Sequence, residues 1–169
     1  MSSFRVFANP ENNKISIAHA GLANALTTGF RTGAYISGKQ LVKDLRDDMA
    51  KPKTGRSYRL YVGRTGKTLK QARIQRASSP NETPAIRSGN YRKSIDFLVR
   101  GAKQLEFGAG ANGFAEDYAK FLEEGTSRME ARKPIGRTVE KLQGQVKENI
   151  VKNVNRSVVS LGFNVKRIK

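Results

Sequence analysis

Residues 15–50, ISIAHAGLANALTTGFRTGAYISGKQLVKDLRDDMA, decide what kind of fold this chain can adopt. Leu22, Leu26, Phe30, Ala34, Leu41, Leu45 and Met49 recur at spacings of four or seven, which places them along one stripe of a helix. A helix over about 17–50 is roughly 50 Å long at 1.5 Å per residue. Gly29, Gly33 and Gly38 interrupt it. Each costs roughly 1 kcal/mol against alanine, which predicts a kink or a close backbone contact there. Lys51-Pro52-Lys53-Thr54-Gly55 ends the helix. Ahead of it, Phe4-Arg5-Val6-Phe7 reads as a short strand, closed by the turn signal Asn9-Pro10-Glu11-Asn12-Asn13.

Beyond the helix the periodicity changes. Arg56–Val62 and Lys67–Ile74 alternate apolar and basic residues around Gly63-Arg64-Thr65-Gly66, which predicts a β-hairpin. One face of it would carry Arg59, Arg64, Lys67, Lys70 and Arg73. It holds too little apolar surface for a core of its own, so it should lean on the body of the protein or on a neighbour. Ser79–Pro84 is a rigid connecting loop, and Arg87–Ser94 a short helical turn leading into a strand at Ile95–Val99. A turn at Arg100–Lys103 precedes a second strand at Gln104–Phe107, and Gly108–Gly113 forms a loop. Asp117–Glu124 reads as a short helix with Tyr118, Phe121 and Leu122 on its buried face and Gly125 as its C-cap.

Pro134 suits the first position of another amphipathic helix. Its stripe runs through Ile135, Val139, Leu142, Val146, Ile150 and Val154. Leu161, Phe163 and Val165 alternate like a strand, so residues 156–169 read as an arm that can pair within its own sheet or add to a neighbour's edge. Residues 1–155 read as a single domain carrying the hairpin 56–76 as an insertion. There is no internal repeat.

Composition narrows the function. The 169 residues include 32 Lys+Arg, 14 Asp+Glu, one His and no Cys. Without cysteine there is neither a disulfide framework nor a thiolate metal site, and the single histidine removes most other metal constellations. No stretch approaches the length of a membrane span and no leader pattern opens the chain, so an intracellular, soluble protein is expected. The net charge of +18 is unevenly placed: +2 over 1–50, +11 over 51–95, −1 over 96–140 and +6 over 141–169. The basic stretch is either a solvated loop region or an electropositive face aimed at one acidic partner, nucleic acid being the first candidate.

Catalysis finds little purchase. Gly63-Arg64-Thr65-Gly66-Lys67-Thr68 resembles a phosphate loop only superficially. A true one needs four residues between its glycines and must open a helix. His19 sits in the long helix without an acidic residue at i+3 or i+4, so it reads as a surface or half-buried histidine. Glu123 and Glu124, with Glu116 and Asp117 nearby, are a helix face and not a shared carboxylate site, because adjacent helical residues diverge. No catalytic, cofactor-binding or metal residue is expected, and the chain reads as no enzyme.

Two segments carry a resemblance. The first is Arg76-Ala77-Ser78-Ser79-Pro80-Asn81-Glu82-Thr83-Pro84-Ala85 followed by Ser88-Gly89-Asn90-Tyr91-Arg92-Lys93-Ser94-Ile95. The second is Tyr118-Ala119-Lys120-Phe121-Leu122-Glu123-Glu124-Gly125-Thr126-Ser127-Arg128-Met129, then Ala131-Arg132-Lys133-Pro134. In this order and spacing they resemble the tail-completion, or head–tail joining (neck), proteins of long-tailed double-stranded DNA bacteriophages. That family reads approximately R-A-S-x-P-G-E-x-P-A with T-G-x-L-x-x-S-I, then Y-A-x-x-x-E-x-G-T-S-x-x-x-A-R-P and a helix. Here Asn81 stands at the usual glycine, Tyr91 at the usual leucine, and Lys133 intervenes before Pro134.

The resemblance covers about 80–155. It makes Pro80, Pro84, Gly89, Ser94, Tyr118, Glu123, Gly125, Thr126 and Pro134 marks of the fold and not of a reaction. It implies an α+β fold, with a long N-terminal and a C-terminal helix packed on a small antiparallel sheet and a protruding basic hairpin. It also implies a virion protein, assembled in the host cytoplasm into a six-fold homo-oligomeric ring at the neck. Its neighbours would be a tail terminator or tail-tube protein and the head-closure or connector protein. Arg56, Arg59, Arg64, Lys67, Lys70, Arg73 and Arg76 would then face genomic DNA in the channel or an acidic neighbour. The alternative is a free nucleic-acid-binding phage protein, although no helix-turn-helix spacing, RNA-recognition motif or basic zipper is present.

Overall fold

In a computed structural model, residues 10–61, 72–80, 82–86, 89–110 and 116–162 are described. The elements run α1 (Pro10–Ala50), β1 (Ser57–Tyr61), β2 (Ala72–Arg76), α2 (Asn90–Ser94), β3 (Ile95–Arg100), β4 (Gln104–Ala109), α3 (Glu116–Glu124) and α4 (Pro134–Val159). The fold is α+β, with long helices at either end of the sequence and two small sheets, β1-β2 and β3-β4. The expected strand at 4–7 lies outside the described residues.

α1 begins at Pro10 and not near Ile17. Pro10, read as part of a turn, is a helix start, since proline's fixed φ and missing N–H suit the first helical position. The described residues of Met1–Ser37, Val99–Leu105 and Gly144–Lys169 form one compact unit, and those of Gly38–Leu98 and Glu106–Gln143 a second. α1 and α4 contribute to both. In the first unit the glycines of α1 explain themselves. A Cβ on Gly29 would stand 2.5 Å from the Val154 Cα, and one on Gly33 2.6 Å from the Ile150 Cα. The two helices meet backbone to backbone, at a separation no larger residue permits. Ala25, Ala34, Ser37 and Val158 are buried, and the Arg31 Nε donates to the Gly101 carbonyl at 3.1 Å.

The second unit holds the main core, built from Val42, Leu45 and Met49 of α1, Tyr91 of α2, Ile95 of β3, and Ala119 and Leu122 of α3. Phe97, Phe107, Met129 and Ile135 pack around them. Arg46 ties α1 to this core, its guanidinium donating to the carbonyls of Arg92 at 3.1 Å and Ile95 at 2.8 Å.

Four expectations need correction. Within the described residues the second hairpin strand runs Ala72–Arg76, past the expected end at Ile74, because the register pairs Ser57 with Arg76 and Tyr61 with Ala72; residues 62–71 lie outside the described residues. In α3, Ala119 and Leu122 are buried while Tyr118 and Phe121 stand 47% and 48% exposed. The short helix meets the core along a line one residue out of step with its aromatics. Val139 and Leu26 are likewise exposed, and Thr138 takes a buried place on α4 instead. Finally, α4 continues to Val159, so the arm expected from 156 opens as helix. Leu161 lies in the turn that follows, and residues 163–169 are outside the described residues.

Candidate functional site

The hairpin is an antiparallel ladder whose register decides which residues share a face. Arg59 lies opposite Ile74 and Ser57 opposite Arg76, so Arg59, Ile74 and Arg76 occupy one face. Leu60 lies opposite Arg73 and Tyr58 opposite Gln75 on the other. The expectation of a single basic face is corrected in register: Arg73 pairs with Leu60, one position out of step with the Arg59–Ile74 pair. The Gln75 face turns to the body of the unit, its side-chain amide donating to the Ile86 carbonyl. On the outer face Arg59 and Arg76 are exposed, and Ile74 is 72% exposed. Arg56 is exposed at the base of the ladder, where the Ala77 N–H reaches the Arg56 carbonyl and the Gly55 N–H reaches the Ala77 carbonyl. Two residues there oppose one, a bulge. Arg64, Lys67 and Lys70 lie outside the described residues.

The first motif is a clamp on the end of α1. Glu82 accepts from the Thr54 hydroxyl at 2.6 Å, the Ser79 N–H at 2.9 Å and the Thr54 N–H at 3.2 Å. Those three bonds hold its carboxyl below the usual carboxylate range. The Thr83 hydroxyl and the Lys53 ammonium each donate to the Asp48 carbonyl at 3.0 Å, and Lys53 also donates to Thr83 at 2.7 Å. The Asp48 carbonyl, one of those left open where α1 stops, is thereby satisfied. Burial depresses the Lys53 pKa against the pull of Asp48 and Glu82. Burial raises the Asp48 carboxyl, but its bonds to Lys51 and Thr83 and the nearby lysine charges outweigh that and leave it lowered. Pro84 is buried and Pro80 exposed in the turn. Asp48, Lys53, Glu82 and Thr83, with Arg137, Glu140 and an Asp44–Lys141 ion pair at 2.8 Å, line an open cleft of about 560 Å³. Its acidic and basic lining side chains are equal in number, which gives it no preference for one sign of ligand.

Gly89 opens α2 with φ +80°. Ser94 closes it, its hydroxyl donating to the Tyr91 carbonyl at 2.8 Å. Burial pushes the Tyr91 phenol well above its ordinary pKa, reinforced by the charge of Glu123.

The second motif turns α3 into α4. Gly125, at φ +81°, donates from its N–H to the Phe121 carbonyl at 2.9 Å, the C-cap geometry that glycine adopts without strain. Thr126 and Met129 exchange backbone bonds across the turn, and the Arg132 and Lys133 N–H groups reach the Leu122 carbonyl. Glu123 accepts from the Ile135 and Gly136 N–H groups, placing a carboxylate at the positive end of α4. Lys133, extra relative to the motif, takes φ 45° immediately before Pro134. Tyr118 stands edge-on to Tyr91, ring centroids 5.8 Å apart.

Glu123 thus caps a helix, and His19 is an exposed helical residue. Among the described residues no group of three His, Cys, Asp or Glu side chains could hold a metal ion, and no helix is long and apolar enough to cross a membrane. The look-alike phosphate loop at 63–68 lies outside the described residues. The parts the sequence does not reveal are Arg46, Asp48, Lys53 and Thr54. Their role depends on the end of α1 meeting segments about thirty to fifty residues away, the Glu82–Thr83 loop and the α2–β3 junction, for which spacing carries no signal.

No protein-family profile, curated protein or solved structure matches this chain.

Proposed function

We propose that this chain is a structural virion protein of a long-tailed phage, a subunit of a neck ring that completes the tail and joins it to the head connector. The observation that carries the reading is the placement of the two motif segments. Residues 78–85 clamp the end of α1, residues 118–134 turn α3 into α4, and Tyr91 and Ile95 of the first motif share one core with Ala119 and Leu122 of the second. Their residue types are thereby accounted for as architecture, as a joining protein requires. The exposed Arg56, Arg59 and Arg76 suit a neighbour of opposite charge, the DNA end or an acidic ring, without base-reading contacts.

The experiment is genetic and biochemical. A nonsense mutation in the gene should yield DNA-filled heads and finished tails that fail to join, and added purified protein should restore joined particles. Joined particles at an undiminished titre would overturn the reading. A gel shift of the free protein on duplex DNA, with a steep salt slope and unaffected particle assembly, would favour the free nucleic-acid-binding protein instead.

A further inference from the structure

We propose that two surfaces of this chain are the two halves of one interface between copies: the Arg59–Ile74–Arg76 face of the hairpin, and the Tyr118–Phe121–Glu124 face of α3. The proposal rests on the ring reading above and adds the contact that would build the ring.

Each surface is incomplete in the isolated chain, and in complementary ways. Ile74 is the most exposed large apolar side chain among the described residues, at 72%. It sits directly opposite Arg59 in the ladder, with Arg76 two residues along the same face. An aliphatic group set between two guanidiniums gains nothing from phosphate, but fits an apolar side chain beside a carboxylate. α3 offers such a surface. Tyr118 and Phe121 are half-exposed, and Glu124 is exposed one turn beyond Phe121. The spacings agree. Alternate strand residues lie about 6.6 Å apart, and helix neighbours at i, i+3 about 5–6 Å. Ile74 against Phe121 therefore brings Arg76 within reach of Glu124. The charge division along the sequence, +11 over 51–95 against −1 over 96–140, has the same sense. Two different patches joined head to tail make a heterologous contact, the kind that closes into a ring.

The absence of cysteine from the chain allows a clean test. Ile74→Cys and Phe121→Cys variants are made singly, checked for native circular dichroism, and oxidised mildly alone and mixed. The mixture is expected to form crosslinked dimer at least about tenfold faster than either variant alone, and the double variant a ladder of multimers. Glu124→Arg in the Phe121→Cys chain should remove most of that excess, and Arg76→Glu in the Ile74→Cys chain should restore it. The same double variant is oxidised in assembled particles, so that a contact made only on a partner is also read. Equal rates in the mixture and the single variants, with no ladder in particles, overturns the proposal. So does protection of the Ile74→Cys thiol from maleimide by duplex DNA and not by a second copy. The neck reading is decided separately by immunoblot of purified virions, so either idea can fail while the other stands.

Discussion

Gly125 shows how much one residue can fix. Its φ of +81° is unfavourable for any side chain, and a Cβ there would lie 2.8 Å from the Ala131 N. Gly125→Ala should therefore lose about 2 kcal/mol or more of folding stability, read from urea midpoints. Tyr91 makes the opposite case. Its hydroxyl is buried without a hydrogen-bond partner among the described residues, an arrangement that costs free energy. Tyr91→Phe should leave the melting temperature unchanged or raise it, and should flatten the loss of stability above about pH 10, where a phenol of ordinary pKa ionises. The sign follows from the raised folded pKa: the protonated phenol is favoured in the fold, so stability is complete below the unfolded value and falls above it. Glu82 runs the other way. Its lowered pKa adds stability above the unfolded value of about 4.3, and that contribution disappears as pH falls. Denaturation midpoints below about pH 4.5 should decline more steeply in the native chain than in Glu82→Gln.

At the scale of elements, α1 against α4 separates local propensity from packing. Gly33 and Gly144 are both helical glycines, and propensity alone would reward alanine at either by up to about 1 kcal/mol. A Cβ at Gly144 meets nothing within 4 Å, whereas one at Gly33 meets the Ile150 Cα at 2.6 Å. Gly144→Ala should stabilise, and Gly33→Ala should cost about 1–3 kcal/mol; equal gains in thermal melts would contradict the packing. The close contact at Gly29 and Gly33 is legible in the sequence because glycines at spacing four in an apolar helix have little other use. The hairpin is legible as a hairpin, but its register is not. Several alignments of Arg56–Arg76 satisfy the alternation, and only the observed one puts Arg73 opposite Leu60. The buried side of α3 escapes the sequence for a related reason. A nine-residue helix can rest on either of two neighbouring lines, and the aromatics that mark one line lie outside the core, which uses Ala119 and Leu122. The clamp at Asp48, Lys53 and Thr83 is not legible at all, since it exists only once distant segments meet.

For the whole molecule, charge placement carries more meaning than total charge. The sum of +18 alone describes a nucleic-acid binder as well as it does an assembly protein. A basic, apolar-centred hairpin face and an aromatic helix face bearing Glu124 on the same chain are what the proposed ring subunit needs to meet a copy on either side. Its association should weaken with salt over the range in which surface charges are screened, about 0.05–0.5 M, while folding stability changes little over the same range. The decisive measurement is reconstruction by cryo-electron microscopy of the head–tail junction. A closed ring of this chain is expected between connector and tail, absent from particles lacking its gene. A fully occupied neck with no density for this fold would contradict it.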